Sequence, residues 1–319
     1  KLVKTMKENE NFILSQNTFL ENTVTLRTAQ LSEANEELKQ IVEELHSTVE
    51  LVNKQKEELD IKNQNITASI RYALTLQTSI LPTEHLLKVA LNEYFIFYKP
   101  KDIVSGDFYF CYYQEASKTT FLSVIDCTGH GVPGAFMSML VHNLLLETIE
   151  IREIHRPAEI FNYVSQSLVK FLRKNNPNNT DGFDAILCKL QEHNNFLDLV
   201  FVTTKLPLYV YHHTSQRIFT YYGDVAYVGA EDKDEPQSFN EQNLKLYKGD
   251  QFFLASDGIT DQPNEERKRW GTKRFIQLLE QVATENCTAQ LYHIEQALAV
   301  FAQKAPQRDD ITVMGVKIS

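Results

Sequence analysis

The first 81 residues contain neither glycine nor proline: all 11 glycines lie at Gly106 or beyond, and the first of the 9 prolines is Pro82. A compact domain needs chain reversals, and these two residues are the usual means of making them. Aromatic side chains follow the same division. Only Phe12, Phe19 and Tyr72 precede residue 90, and the other 31 come after it. The N-terminal segment therefore lacks both the turns and the bulk for a core of its own. The rest of the 319-residue chain has both, in agreement with about two folding regions.

What the first segment can form is written in a seven-residue repeat. Val24, Leu31, Leu38, Leu45, Val52, Leu59, Ile66, Ala73 and Ile80 fall in one row. With this row as heptad position d, position a reads Thr28, Asn35, Val42, Val49, Lys56, Asn63, Ile70 and Gln77. Leucine at d with valine at a favours a parallel two-stranded coil, and polar residues at a fix its register. From Ile66 the apolar stripe widens to include Ala68, Ile70, Leu74, Leu76 and Leu81, too broad for a two-helix seam. Pro82 disfavours a helical Leu81 and stops the helix. The pattern predicts three regions. Residues 1–65 form a coiled-coil dimerisation and signalling helix, residues 66–89 a linker (switch) helix and turn, and residues 90–319 the globular domain.

The net charge is −10, from 42 acidic against 32 basic residues. That balance argues against nucleic acid or an anionic membrane surface as partner, because both are met by basic patches. Cys111, Cys127, Cys188 and Cys287 form no CxxC pair, so structural disulfides and zinc are not expected and a reducing cytoplasm fits. No run of about 20 apolar residues is found, so no membrane span is expected in this fragment. The chain starts without Met and reads as a piece of a longer one, with a sensor domain expected upstream.

Beyond residue 90, short aromatic and β-branched runs alternate with polar turns and read as strands at 92–99, 107–113, 119–126, 183–190, 196–202, 206–212, 217–222 and 251–256, with a last one at 311–318. Helical periodicity marks 135–151, 157–173, 271–283 and 288–303, and 231–243 reads as a solvated loop. Strands and helices come in blocks, which predicts an α+β domain with antiparallel sheets. Gly129, Gly131 and Gly134 spell the outline of a dinucleotide fingerprint. A second helix follows before any strand, however, and Asp126 stands where a pyrophosphate would lie, so nucleotide-dependent redox chemistry is set aside.

The chemistry lies in where the acids fall. Asp107 opens a strand, Asp126 ends one before Cys-Thr-Gly-His-Gly, Asp257 ends another before Gly258, and Asp309–Asp310 precede the last. Carboxylates at strand ends are poor core residues and good ligands. An oxygen-only donor set favours a hard ion, Mg²⁺ or Mn²⁺.

The segments PKDIVSGDFY, DCTGHGVPGAFMSM, DGFDAILC, KGDQFFLASDGITDQ and RDDITVMGVKI occur in the order and spacing of one family. Over residues 90–319 the sequence resembles the SpoIIE/RsbU-type branch of the PPM (PP2C-like) serine/threonine phosphatases, and ITASIRYALTLQTSILP resembles the linker that precedes this domain in sensor-coupled members. The resemblance implies an α-β-β-α sandwich of two antiparallel sheets flanked by helices, here preceded by a long parallel dimeric coiled-coil helix. It implies two Mn²⁺ or Mg²⁺ ions, bridged by Asp126. Asp257 and Asp309 would complete the first site, and Asp107 with the Cys127 backbone carbonyl would serve the second. Asp310 is the alternative to Asp309, and Asp184 and Asp261 are candidates for an extra or outer site.

Two metals that activate a water for in-line attack on phosphorus make a nucleophilic Ser or Cys unnecessary. His130 is a candidate acid for the leaving group or a loop-shaping residue, and Lys101 a candidate phosphate-binding residue. The implied substrate is a phosphorylated regulatory protein such as an anti-sigma-factor antagonist, with the coil regulating turnover. The alternative is a catalytically silent PPM-fold partner-switching module. The chain departs from its relatives at Thr203-Thr-Lys-Leu-Pro-Leu-Tyr, where they carry a small-residue segment resembling GANNPLY, and at Asp261-Gln-Pro-Asn-Glu, where many read DQFGG.

Overall fold

The computed structural model describes residues 2–174, 176–223, 227–229 and 238–319. The chain divides into two units, residues 1–68 and 69–319. Helix α1 (Leu2–Ile80) supplies the described residues of the first unit and opens the second. In the first unit the d-row side chains Val24, Leu31, Leu38, Leu45, Val52 and Leu59 are all more than half exposed on the single chain. The helix ends at Ile80, one residue before the position that Pro82 disfavours.

In the second unit, the α1 residues Ile70, Ala73, Leu74, Gln77 and Ile80 are wholly or partly buried, at helical spacing, and Leu81 packs on the core. Of the wider stripe read from the sequence, Ile66, Ala68 and Leu76 remain exposed. Gln77 is the larger correction. It falls in the a row of the heptad, yet it is buried against the globular domain. A short helix α2 (Glu84–Ala90) occupies the stretch read as a turn, capped by Thr83, whose Oγ1 accepts from the Leu86 N–H at 3.2 Å.

The elements then run β1 (Glu93–Lys99), β2 (Asp107–Gln114), β3 (Thr119–Cys127), α3 (Gly131–Leu146, extended by a π-helical turn, Glu147–Ile151), α4 (Pro157–Arg173) and β4 (Gly182–Glu192). They continue as β5 (Leu197–Thr203), β6 (Leu208–His212), β7 (Arg217–Tyr221), β8 (Val228–Gly229), β9 (Gln242–Leu246) and β10 (Gln251–Ala255). The last are α5 (Gly258–Asp261), α6 (Thr272–Val282), α7 (Cys287–Ala302) and β11 (Ile311–Lys317). Helix α3 starts four residues before the position predicted, because Pro133 lies in its first turn, where a missing N–H costs nothing. Of the expected loop at 231–243, residues 231–237 lie outside the described residues, and Gln242 and Asn243 open β9.

Two antiparallel sheets result, in the orders β1-β11-β10-β6-β7 and β2-β3-β4-β5-β9, with β8 on β4. Alternation along each strand sets the layers. Leu122, Val124 and Ile186 of one sheet meet Val210, Leu254 and Met314 of the other between them. Phe121, Ile125 and Leu187 face α3 and α4 on one outside. Phe253, Ile311 and Val313 face α6 and α7 on the other. This is the expected α+β sandwich.

One expectation needs amending. Residues 131–151 are long and apolar enough by composition to cross a membrane. Val141, Leu145 and Ile149 of that stretch are spent on the core instead, at 0–1% exposure.

Candidate metal centre

Register brings three of the aspartates onto one rung. Asp107 on β2 pairs with Asp126 on β3, which pairs with Asp184 on β4. Residues directly opposite in a sheet present side chains to the same face. Counting in twos from Asp126 to Val124 and Leu122, and from Asp184 to Ile186, shows that this face is the inner one. The second sheet closes the same end. Asp257 follows β10, and Asp309 and Asp310 precede β11. Asp126, Asp184, Asp257 and Asp309 line one cavity of about 200 Å³, together with Cys127, Thr128, Gly129, His130 and Tyr227. Two glycines allow the strand ends to close up. A Cβ at Gly258 would overlap the Asp310 carbonyl oxygen, and one at Gly106 would overlap that of Gly129.

Asp107, the strand neighbour of Asp126, is outside the lining and 2% exposed, with Oδ2 accepting from Thr312 Oγ1 at 3.1 Å. Burial drives its carboxyl up to about 8. Asp310 and Asp309 push in the same direction, and hydrogen bonds from Ser256 and Thr312 oppose them. Asp126 is pushed well above the carboxylate range by burial first, then by Asp107, Asp257, Asp309 and Asp184. Asp257 is raised by burial, then by Asp261 and Asp309. Among the described residues, the one cationic side chain paired with a cavity-lining carboxylate is Lys205, with Nζ 3.2 Å from Asp184 Oδ2.

Carboxylates crowded onto one buried rung with so little positive charge fit a hard divalent cation. The donor set is oxygen, with no nitrogen or sulfur ligand required. Among the described residues, no three acid, thiol or imidazole groups are already drawn in around one point. They share a cavity, not a finished coordination shell.

The other candidates take distinct places. Asp310 is 2% exposed, and its two oxygens accept from the Lys101 N–H at 2.7 Å and the Gly106 N–H at 2.8 Å. Lys101 thus contributes backbone there, and its side chain is not part of the cavity lining. Asp261 ends α5 and is paired with Arg269 at 2.9 Å, outside the lining. His130 precedes α3 at the cavity, with Nδ1 2.8 Å from Asp102 Oδ2. The Cys127 thiol is buried and its pKa is raised by burial, then by Asp126 and Asp107.

Sequence reasoning missed Thr312, Ser256, Thr204 and Gln77. Thr312 was within reach of it, since it shares the inward parity of Met314 and Val316. Gln77 was not, because its partners lie 28 and 61 residues away: Nε2 donates to the Ser105 carbonyl at 2.6 Å and to Ser138 Oγ at 2.9 Å, and Oε1 accepts from the Ser105 N–H at 3.0 Å.

Two packed antiparallel sheets with an aspartate-lined cavity at one end of their inner faces define a PP2C-like fold. The solved SiaA-PP2C domain of Pseudomonas aeruginosa superposes with a TM-score of 0.70 at 29% identity, over 81% of this chain and 98% of that one. The phosphatase domain of SpoIIE from Bacillus subtilis, with a fragment of its regulatory domain, gives 0.56 at 16% identity over 70% of this chain and 62% of that one. The RsbU and RsbW domains of a Mycobacterium tuberculosis protein give 0.55 at 16% over 70% and 59%. These last two share the fold. No match is found among curated proteins. The family profile described as Stage II sporulation protein E (SpoIIE) matches residues 116–319, which include Asp126, Asp184, Asp257 and Asp309 but not Asp107. The chain belongs to the SpoIIE family of PPM-type serine/threonine phosphatases.

Proposed function

We propose that this chain is a metal-dependent phosphatase that removes phosphate from serine or threonine of a regulatory protein, for which an anti-sigma-factor antagonist is the implied type. The observation that carries the reading is that Asp126, Asp257 and Asp309 line one cavity, with the buried Asp107 paired to Asp126 on the neighbouring strand. Asp126, central on its rung, would be shared between two Mn²⁺ or Mg²⁺ ions. Asp257 and Asp309 would hold one, and Asp107 with the Cys127 carbonyl the other. Such ions supply Lewis acidity toward water and toward the phosphoryl oxygens. Thr312 and Ser256 keep Asp107 fixed in its place. With Nδ1 engaged by Asp102, His130 has only Nε2 left to exchange a proton with a departing serine oxygen. Cys127, buried and held as the thiol, is no nucleophile.

Regulation through α1 and a homodimer through the coil belong to the same reading. Support for the first comes from Gln77, which joins the end of α1 to Ser105, two residues before Asp107, and to Ser138 on α3. Four buried free thiols agree with a reducing cytoplasm.

Hydrolysis of p-nitrophenyl phosphate and of a phosphoserine peptide in Mn²⁺ tests the reading. Turnover that requires the metal and falls by at least about 100-fold in Asp126→Asn is expected. A folded, Mn²⁺-binding protein without turnover would be a binding module instead.

A further inference from the structure

Lys205 is paired with one of the aspartates that line the cavity. It sits in the turn between β5 and β6, within Thr203-Thr-Lys-Leu-Pro-Leu-Tyr. That turn is clamped from inside. Buried Thr203 donates to the Leu206 carbonyl, and buried Thr204 donates from Oγ1 to Asp184 Oδ1 at 3.0 Å and accepts there from the Ala185 N–H at 2.9 Å. A fixed backbone thus presents a flexible four-carbon arm. Its ammonium lies 3.2 Å from Asp184 Oδ2 and 4.7 Å from the centre of the Tyr227 ring, and both of those residues line the aspartate cavity. The Lys205 side chain is about half exposed, at 52%. The Asp184 end of the pair is only 18% exposed, so the ammonium is the partner open to a second anion.

We propose that Lys205 is a phosphate-binding residue, held by Asp184 and Tyr227 at the cavity edge and donating to a non-transferring oxygen of the substrate phosphoryl group. The inference rests on the phosphatase reading above. With metal ions offsetting the cavity carboxylates, a cation tethered at the rim would add a donor from the protein itself, and its three N–H groups can serve Asp184 and phosphate together. The pairing gives Asp184 two partners of its own, the Thr204 hydroxyl on Oδ1 and the Lys205 ammonium on Oδ2.

The test compares the intact chain with Lys205→Ala, Lys205→Gln and Lys205→Arg, using p-nitrophenyl phosphate kinetics in saturating Mn²⁺ and calorimetric titration of the Mg²⁺-loaded proteins with inorganic phosphate. Expected for Ala and Gln is a rise of about tenfold in KM and in the phosphate Kd, equal to about 1.4 kcal/mol. The kcat, the Mn²⁺ affinity and the Tm should stay near the starting values, and Arg should restore most of the loss. Unchanged KM and phosphate Kd would overturn the assignment, as would a loss that follows Mn²⁺ affinity or Tm. An intact chain that binds phosphate but turns nothing over would sink the phosphatase reading alone, and the phosphate titrations would still decide the role of Lys205.

Discussion

Asp309 and Asp310 both precede β11, yet they meet different partners. Asp310 spends both oxygens on the backbone N–H groups of Lys101 and Gly106. Asp309 is left in the cavity. The family motif favours Asp309 with Asp310 as the alternative, and the partners across the fold distinguish their surroundings. Asp310→Asn should therefore cost about 1–3 kcal/mol in urea unfolding, since an amide cannot accept from both backbone donors. Asp309→Asn should leave stability intact and weaken Mn²⁺ binding by at least about tenfold. The opposite pattern would reassign the pair. The cysteines are legible at the same scale, as isolated buried thiols. Burial raises Cys287 to about 11 and Cys111 to about 12. A thiol titrating near 8.5 when unfolded thus favours the native state below that pH, and the contribution is lost as pH rises through about 11. At pH 8 a disulfide reagent should label Cys287 on the order of 100-fold more slowly than in urea, given its smaller thiolate fraction. Fast labelling of the native protein would contradict its burial.

Elements with one long period were readable from sequence, and elements defined by distant partners were not. The helices at Pro157–Arg173 and Thr272–Val282 and the core strands carry their own pattern. The two-residue β8 has no room for one, and β9 follows a polar run and alternates only weakly. The end of α1 combines both cases, since its apolar spacing is visible and the polar residue that anchors it is not. Gln77 supplies both amide ends to Ser105, and Ser105 Oγ accepts from the Asp107 N–H at 3.1 Å. Gln77→Leu keeps the volume and removes every hydrogen bond. It should lower stability by about 1–3 kcal/mol, the cost of leaving buried groups unpaired. Through Ser105 it should also weaken Mn²⁺ binding by about tenfold. Normal metal affinity in a destabilised variant would limit Gln77 to holding the helix end in place.

For the molecule as a whole, the division at the first glycine and proline is a statement about what can close a core. Residues 69–319 bury aromatic and aliphatic side chains in three clusters, whereas the d-row of residues 2–68 buries none. Side chains from Val24 to Leu59 that are 54–65% exposed at every seventh position are spaced to suit another helix of the same repeat, the partner that the proposed dimer would supply. Asn35, Lys56 and Asn63 interrupt that row's neighbour, which in such a dimer would select a single register at some cost in stability. Sedimentation equilibrium at micromolar concentration should give the mass of two chains, and Leu38→Asp with Leu45→Asp should give one. The doubly substituted chain should keep the circular dichroism and the thermal transition of the phosphatase domain, because its clusters draw on no residue before Leu81. Its response in turnover then separates two duties of the coil. Unchanged Mn²⁺ affinity and kcat would make the coil a dimerisation stalk, whereas a change in either would tie pairing of the helices to the order of the aspartate cavity. An intact chain that sediments as a monomer would remove the coiled coil altogether and leave α1 with an apolar row that has no account.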